Sequence, residues 1–252
     1  MSKTWKVGLI VLTLLLILSG AGGLFYYNTK IVDTCDKVLE RYTTNFLCIS
    51  TNKGIMVFEL YPDSAPKSVE RIKYLSNTKR YYDGLEFYRI VKGFVAQGGI
   101  QDYRIRNVNV DIKDEAMREK LRISSEENIG VETNFISLEL DEQTQGQLRQ
   151  SGYQSDESLK ARRFEFGSLA FANQGEQNPN SNSTEFFIVT SDDPNSENVK
   201  FLNGRFSNMG KLVEGQDVLK TLNNLPINEE YLFSNDKSKP FETITIYEMR
   251  AR

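Results

Sequence analysis

The chain has 252 residues, a formal net charge of −3, two cysteines and no histidine. This weakly acidic balance offers no basic stripe for nucleic acid, and we expect no nucleic-acid partner. Without histidine, the Ser-His-Asp and Cys-His catalytic schemes and histidine-ligated zinc are excluded, and two cysteines are too few for a zinc site. We therefore expect neither a metal nor a cofactor.

The N-terminal segment, residues 1–29, is typical of a membrane anchor. Residues 7–29 carry no charge over 23 positions, and about 20 apolar residues suffice for a helix to cross a bilayer. Lys3 and Lys6 precede this run, so the positive-inside rule leaves the N-terminus in the cytoplasm. A cleaved signal peptide is the alternative. The rest of the chain is therefore expected outside the cytoplasm, as a single-pass membrane protein or as a secreted one.

A short polar linker or stalk is predicted at residues 30–44, between the membrane and the domain. The domain itself is predicted to span residues 45–252. Outside the cytoplasm Cys35 and Cys48 could form a disulfide. Because two thiols define no disulfide framework, the sequence leaves their pairing open.

The first part of the domain alternates between strand and helix signals. Apolar runs at residues 45–50 and 54–60 predict a hairpin. The turn after them predicts a helix with its N-cap at Ser64 or Ser68. The inward stripe of this helix is expected to consist of Val69, Ile72 and Leu75.

The most unusual stretch, residues 87–99, reads Phe-Tyr-Arg-Ile-Val-Lys-Gly-Phe-Val-Ala-Gln-Gly-Gly. Its alternation predicts a strand with Phe87, Arg89 and Val91 on one face. An arginine beside aromatic side chains, followed by a phenylalanine and an amide, suggests a shallow apolar pocket with one fixed cation. A plain strand with an exposed arginine and a glycine turn is the alternative.

A long insertion is predicted at residues 101–166, which are rich in charge and glutamine. Its length is too great for a plain loop inside a compact domain. We expect a surface excursion with helical pieces at residues 113–122 and 156–163. The sequence assigns it no function.

Apolar strands return after the insertion. They are predicted at residues 167–173, 185–190 and 241–249, with a helix at 216–223. Strands and helices without βαβ regularity predict a mainly β protein with a closed or sandwich-like antiparallel sheet and packed helices.

Four motifs follow one another along the domain. They are residues 87–99, Leu169-Ala170-Phe171-Ala172-Asn173, Thr184-Glu185-Phe186-Phe187-Ile188, and Phe201-Leu202-Asn203-Gly204 leading to residues 210–215. Together they resemble the cyclophilin family of peptidyl-prolyl cis–trans isomerases from about residue 45 to residue 249. The resemblance implies a closed antiparallel eight-stranded β-barrel capped by two helices. It also implies a monomeric enzyme that isomerises X-Pro bonds of proline-containing polypeptides and assists their folding. The N-terminal segment is what would place this activity outside the cytoplasm.

The resemblance also implies site residues. It carries the catalytic role onto Arg89. The implied substrate-binding residues, which wall the proline pocket or contact the peptide, are Phe94, Val95, Gln97, Ala172, Asn173, Phe187, Phe201, Leu202 and Phe206.

The chain departs from the family pattern at several of these positions. Phe201 stands where the family has tryptophan, Phe206 aligns with its pocket histidine, Glu185 replaces a glutamine and Val95 a methionine. We expect Phe206 to be tolerated, with some loss of polar contact to the substrate. The departures keep open a catalytically weak binding module, chaperone or scaffold at the membrane. A further alternative is a passive barrel whose insertion docks a partner.

Overall fold

The computed structural model describes residues 34–99, 129–173, 179–228 and 238–252. Residues 35–252 form one compact unit. The predicted membrane segment and the predicted helix at 113–122 lie outside the described residues. Within the described ranges, no helix has the length and apolar character needed to cross a membrane.

The described residues form strands and short helices. The strands are β1 (Phe46–Thr51), β2 (Gly54–Leu60), β3 (Phe87–Val91), β4 (Val95–Gly98), β5 (Ile129–Gly130), β6 (Ser168–Asn173), β7 (Asn180–Val189), β8 (Gly210–Glu214), β9 (Ile227–Asn228), β10 (Lys239–Pro240) and β11 (Ile246–Ala251). The helices are α1 (Cys35–Leu39), α2 (Pro66–Lys73), which continues as a π-helical turn over Tyr74–Thr78, α3 (Glu142–Gln150), α4 (Glu197–Leu202) and α5 (Gln216–Asn224).

Eight strands form a nearly closed antiparallel barrel. Their order is β11-β1-β2-β8-β6-β7-β4-β3, and β5 adds to β7 outside this order. The two ends of the sheet meet at an isolated bridge between Glu86 and Thr245, beside which the N–H of Phe87 donates to the carbonyl of Ile244 at 3.0 Å. The predicted mainly β, eight-stranded antiparallel barrel is confirmed.

The core lies inside the barrel and under two helices. Helix α2 contributes Val69 and Ile72, and the turn after it contributes Leu75, each 3% exposed or less. The predicted inward stripe is therefore confirmed. Helix α5 buries Val218, Leu219 and Leu222 in the same cluster. Burial of apolar side chains at both ends stabilises the barrel.

The N-cap predicted for helix α2 was wrong. Ala65 occupies the cap position without a side-chain hydrogen bond. Instead, the N–H groups of Lys67 and Ser68 each donate at 2.8 Å to the carboxylate of Glu132, and the Ser68 hydroxyl donates to it at 2.7 Å. A carboxylate from the insertion therefore caps this helix, where negative charge is favoured.

A register shift in β3 changes the faces predicted for its residues. Phe87 lies opposite Gly98 and Arg89 opposite Gln97, so Tyr88 is an extra residue in the ladder. Such a bulge shifts the alternation by one position. Phe87 therefore packs in the barrel core, whereas Arg89 and Val91 remain half-buried outside it.

The described part of the insertion has many exposed residues but also a small core. Phe135, Leu138, Leu148 and Tyr153 form a small core of their own. The helix in this region is α3, capped by Asp141, whereas residues 156–163 form turns, so the predicted helix there was wrong. The hydroxyl and the N–H of Thr144 donate to Asp141, and these two bonds lower the pKa of its carboxyl group.

Part of the segment predicted as a linker packs on the barrel. Cys35 in α1 and Cys48 in β1 form a disulfide. Val38 and Leu39 pack with Cys48 and Val57 in an apolar cluster on the outside of β1 and β2. Much of the predicted linker at 30–44 thus belongs to the compact unit, which begins at Cys35.

The last strand also begins later than predicted, at Ile246 rather than at residue 241. The side-chain amide of Asn52 donates to the carbonyl of Thr243 at 2.9 Å, and its oxygen accepts from the N–H of Thr245 at 3.1 Å. These bonds hold the segment before β11 outside the ladder.

Candidate functional site

Three neighbouring strands place the predicted catalytic arginine in a row with two predicted substrate contacts. Arg89 on β3 lies opposite Gln97 on β4, and Gln97 lies opposite Phe187 on β7. Residues paired across an antiparallel sheet point to the same face. Phe186 and Ile188 belong to the barrel core, so this row lies on the outer face.

The polar end of the row is a chain of hydrogen bonds. Arg89 Nη1 donates to Gln97 Oε1 at 3.4 Å, and Gln97 Nε2 donates to Glu185 Oε2 at 3.4 Å. The hydroxyl of Tyr88 donates to the same carboxylate oxygen at 3.2 Å. Glu185 accepts from the amide nitrogen of Gln97, and the amide oxygen of Gln97 is thereby turned towards the guanidinium.

The apolar end of the row is a cluster of buried side chains. It contains Val95, Ala172, Phe187 and Leu202, each 8% exposed or less, with Phe94 and Phe206 packed against it. The rings of Phe187 and Phe206 meet edge-on, with their centroids 5.2 Å apart. The fold brings these residues together from separate stretches of the chain.

Phe164 belongs to this cluster but was missed in the sequence. Its ring is 1% exposed and stacks beside Phe187, with centroids 6.1 Å apart. It lies at the end of the segment that we assigned to the insertion. The sequence contains one indication that Phe164 is buried: it is an apolar residue between charged neighbours, just before the strand predicted at 167–173.

The wall beyond the cluster comes from α4 and the loop that follows it. Phe201 is half-buried, and the guanidinium carbon of Arg205 lies 4.4 Å from the centroid of its ring. Arg205 Nη1 also donates to the carbonyl of Phe201 at 3.3 Å. The side-chain amide of Asn173 donates to the carbonyl of Arg205 at 3.4 Å, which ties the end of β6 to this loop. Arg205 was not predicted as a site residue.

A cavity of about 910 Å³ opens over this wall. Its lining includes Phe94, Phe201, Leu202 and Phe206 from the predicted site. Arg89 and Gln97 are not among the lining residues. Phe187 links Arg89 and Gln97 to the cavity, because Phe187 neighbours Gln97 in the sheet and its ring contacts Phe206 in the lining.

The arrangement suits an apolar ring next to a hydrogen-bond donor. An arginine stays charged at any physiological pH and holds several donors in a rigid fork. Within the described ranges, no group of three or more cysteine, aspartate or glutamate side chains could hold a metal ion. Arg89 therefore sets a permanent positive charge beside the apolar cluster.

Comparison with known proteins shows which family the chain resembles. The family described as cyclophilin-type peptidyl-prolyl cis-trans isomerase/CLD matches residues 46–251. A probable peptidyl-prolyl cis-trans isomerase of Brucella suis biovar 1 (strain 1330) is 29% identical over 176 residues, which cover 69% of each chain. A putative peptidyl-prolyl cis-trans isomerase of Staphylococcus epidermidis (strain ATCC 35984) is 31% identical over 140 residues, which cover 55% of this chain and 49% of that protein.

Solved structures agree at the level of the fold. A cyclophilin-type peptidyl-prolyl cis-trans isomerase of Cryptosporidium parvum, solved in the presence of the dipeptide Ala-Pro, superposes with a TM-score of 0.53 at 24% identity. The match covers 82% of this chain and 98% of that one. Because the family match spans most of the sequence and the barrel agrees with it, this chain belongs to the cyclophilin-type peptidyl-prolyl cis–trans isomerase family.

Proposed function

We propose that this protein is a peptidyl-prolyl cis–trans isomerase that acts as a monomer on X-Pro bonds of proline-containing polypeptides. The observation that carries the proposal is the outer row of the sheet, which ends in Arg89 on one side and continues into the apolar cluster around Phe187 on the other. A proline ring requires an apolar pocket, and rotation of its amide requires a donor nearby. The row supplies both.

The reaction is a rotation that needs neither a nucleophile nor a proton transfer. The amide barrier of about 18–20 kcal/mol comes from conjugation of the nitrogen lone pair with the carbonyl. X-Pro bonds therefore isomerise over tens to hundreds of seconds without a catalyst. A catalyst must bind the twisted amide, in which conjugation is lost, better than either planar form. A chain without histidine can meet this requirement.

Arg89 is the group proposed to favour the twisted amide. When conjugation is lost, the lone pair of the prolyl nitrogen can accept a hydrogen bond, and a guanidinium donor directed at it acts in that state alone. The bond from Arg89 Nη1 to Gln97 Oε1 fixes the direction of the guanidinium, which carries five N–H donors in a planar fork. Gln97 thus orients the guanidinium and also serves as the proposed polar contact to the peptide.

The apolar cluster is proposed to hold the proline ring while the acyl side rotates. Phe94, Val95, Phe187 and Leu202 exclude water from the ring, and a drier site strengthens the electrostatic contact from Arg89. Phe201 and Phe206 form the outer wall. The backbone at Ala172 and Asn173 is the proposed anchor of the peptide chain.

Exchange NMR on an Ala-Pro peptide tests the activity with the full chain in detergent. We expect added protein to bring the exchange rate well above the uncatalysed value, in proportion to its concentration. Chemical-shift changes in the peptide without any gain in exchange rate would instead favour the second candidate, a weakly catalytic binding module or scaffold. The substitutions at Phe201, Phe206 and Glu185 motivate that candidate.

We further propose that the protein acts outside the cytoplasm, anchored by its N-terminal segment or secreted after cleavage, and assists protein folding there. The Cys35–Cys48 disulfide supports this proposal, because disulfides persist mainly in oxidising compartments. Protease added to intact native cells or spheroplasts should degrade the domain if it is anchored. If the N-terminal segment is cleaved, the domain should instead be detected in the medium. Full protection until the cells are lysed would contradict it.

A further inference from the structure

The insertion lies beside the proposed proline pocket, and its described part is rigidly built. Phe135, Leu138, Leu148 and Tyr153 are all at most 4% exposed. The guanidinium of Arg149 lies 5.6 Å from the ring centroid of Phe135 and covers it from outside. A segment with its own core can present a fixed surface to a ligand.

This small core packs directly on the loop that carries the pocket wall. Gly204, which lies between Leu202 and Phe206, has φ +81. A β-carbon there would lie 2.8 Å from Leu148 Cδ1 and 3.1 Å from Leu140 Cδ1. The loop and the insertion therefore meet without a gap, and glycine permits both the backbone conformation and the contact.

One cavity spans the two parts. The cavity of about 910 Å³ is lined on one side by Phe94, Leu202 and Phe206 and on the other by Leu140 and Thr144 of the insertion. A single proline ring fills a small part of this volume. The remainder is contiguous with the ring and is large enough for a neighbouring side chain of the peptide.

Charged and polar side chains line part of this cavity, and several of the charges have partners there. Lys200 lies 3.7 Å from Glu197, and Arg163 donates to the carbonyl of Leu138 and lies 4.0 Å from Glu139. Arg205 is stacked on the ring of Phe201. Among the apolar lining residues, Phe201 and Leu140 are half-buried and keep part of their surface accessible.

We propose that Leu140 and Thr144 of the insertion, facing Phe201, form a second subsite that binds an apolar side chain next to the proline of the substrate. The proposal rests on the isomerase function proposed above and names the substrate class of the same site. Burial of an aliphatic side chain in such a subsite favours the peptide that carries it. The insertion thereby sets which X-Pro bonds are turned over fastest.

Peptides that differ at one flanking position test the subsite with the full chain. Exchange NMR would measure kcat/KM on Gly-Ala-Pro-Gly, Gly-Leu-Pro-Gly and Gly-Ala-Pro-Leu. We expect leucine at one of the two positions to raise kcat/KM by about fivefold or more, as an added apolar contact does. Leu140→Ala should reduce this preference to about twofold or less.

Two further variants keep the test decisive. Ile136→Ala removes an exposed apolar residue of the insertion that does not line the cavity, and it should keep the full leucine preference. Thr144→Lys places a positive charge in the proposed subsite, so it should lower the leucine preference. It should also raise turnover of a peptide that carries glutamate in place of the preferred leucine by about threefold. This variant tests the subsite if Leu140→Ala does not fold.

The outcomes separate the two proposals. Equal turnover of all three peptides by the unmodified protein would overturn the subsite while leaving the isomerase function intact. A leucine preference that survives both Leu140→Ala and Thr144→Lys would also overturn it. Absence of turnover of every peptide would overturn the isomerase function itself and the subsite with it.

Discussion

At the scale of single residues, the site depends on how β3, β4 and β7 are paired. The register sets Arg89 beside Gln97 and Gln97 beside Phe187, although Phe187 lies some 90 positions further along the chain. Local alternation alone could not predict this row, and it put Phe87 on the wrong face because the extra residue Tyr88 shifts the pattern. The resemblance to the family supplied the long-range part of the prediction.

Phe206 tests whether the departures from the family pattern impair the site. Phe206→His keeps a ring against Phe187, so kcat/KM on an Ala-Pro peptide should change by about threefold or less, which is under 1 kcal/mol in the barrier. Phe206→Ala serves as the control, because it removes the wall and should cost about tenfold. A rise of about a hundredfold in Phe206→His would show that the unmodified site is impaired.

At the scale of elements, the insertion and the helix it caps are interdependent. The sequence predicted the helix and its inward stripe, because 3.6-residue periodicity is local. It could not predict the cap, since Glu132 lies 64 positions from Ser68 and no local pattern joins them. The same holds for Phe164, whose burial depends on packing against β7.

Deleting residues 102–165 would remove this cap and Phe164, so it would change stability together with any function of the insertion.

Glu132→Gln should destabilise the domain through the N-terminus of α2. Glutamine keeps one acceptor oxygen but places an amide donor against the remaining N–H and hydroxyl donors. We expect a loss of roughly 1–2 kcal/mol in the free energy of unfolding, measured by urea titration. Glu142→Gln is the matched control, because this carboxylate is exposed in the first turn of α3, and it should cost about 0.5 kcal/mol or less. Equal effects of the two substitutions would argue against a capping role for Glu132.

At the scale of the whole molecule, helix α1 with its Cys35–Cys48 disulfide forms an N-terminal clamp on the barrel. This clamp and the site lie on different parts of the barrel. Helix α1 packs on β1, β2 and β11, whereas the site residues lie on β3, β4, β6, β7 and α4. The eight-stranded antiparallel barrel followed from the sequence once the resemblance to the family was seen, whereas the order of its strands was not predicted. The clamp did not, because two cysteines alone do not define a disulfide.

Replacing both Cys35 and Cys48 by alanine should lower stability without changing turnover. The cysteines are 13 positions apart, and closing a loop of about 15 residues contributes roughly 3 kcal/mol to the free energy of unfolding. Urea unfolding with and without reducing agent would measure the effect, and the reducing agent should leave the double variant unchanged. A large fall in kcat/KM under conditions in which the variant is folded would contradict the separation of clamp and site.

The central claim is that the charge and fork geometry of Arg89 carry the catalysis, and its substitution tests this most directly. Exchange NMR on an Ala-Pro peptide should show kcat/KM reduced by about tenfold or more in both Arg89→Ala and Arg89→Lys, since one ammonium does not reproduce the guanidinium fork. Lys92→Ala, which removes an exposed cation from the turn after β3, is the control and should change kcat/KM by about twofold or less. Undiminished turnover by folded Arg89→Ala would contradict the account.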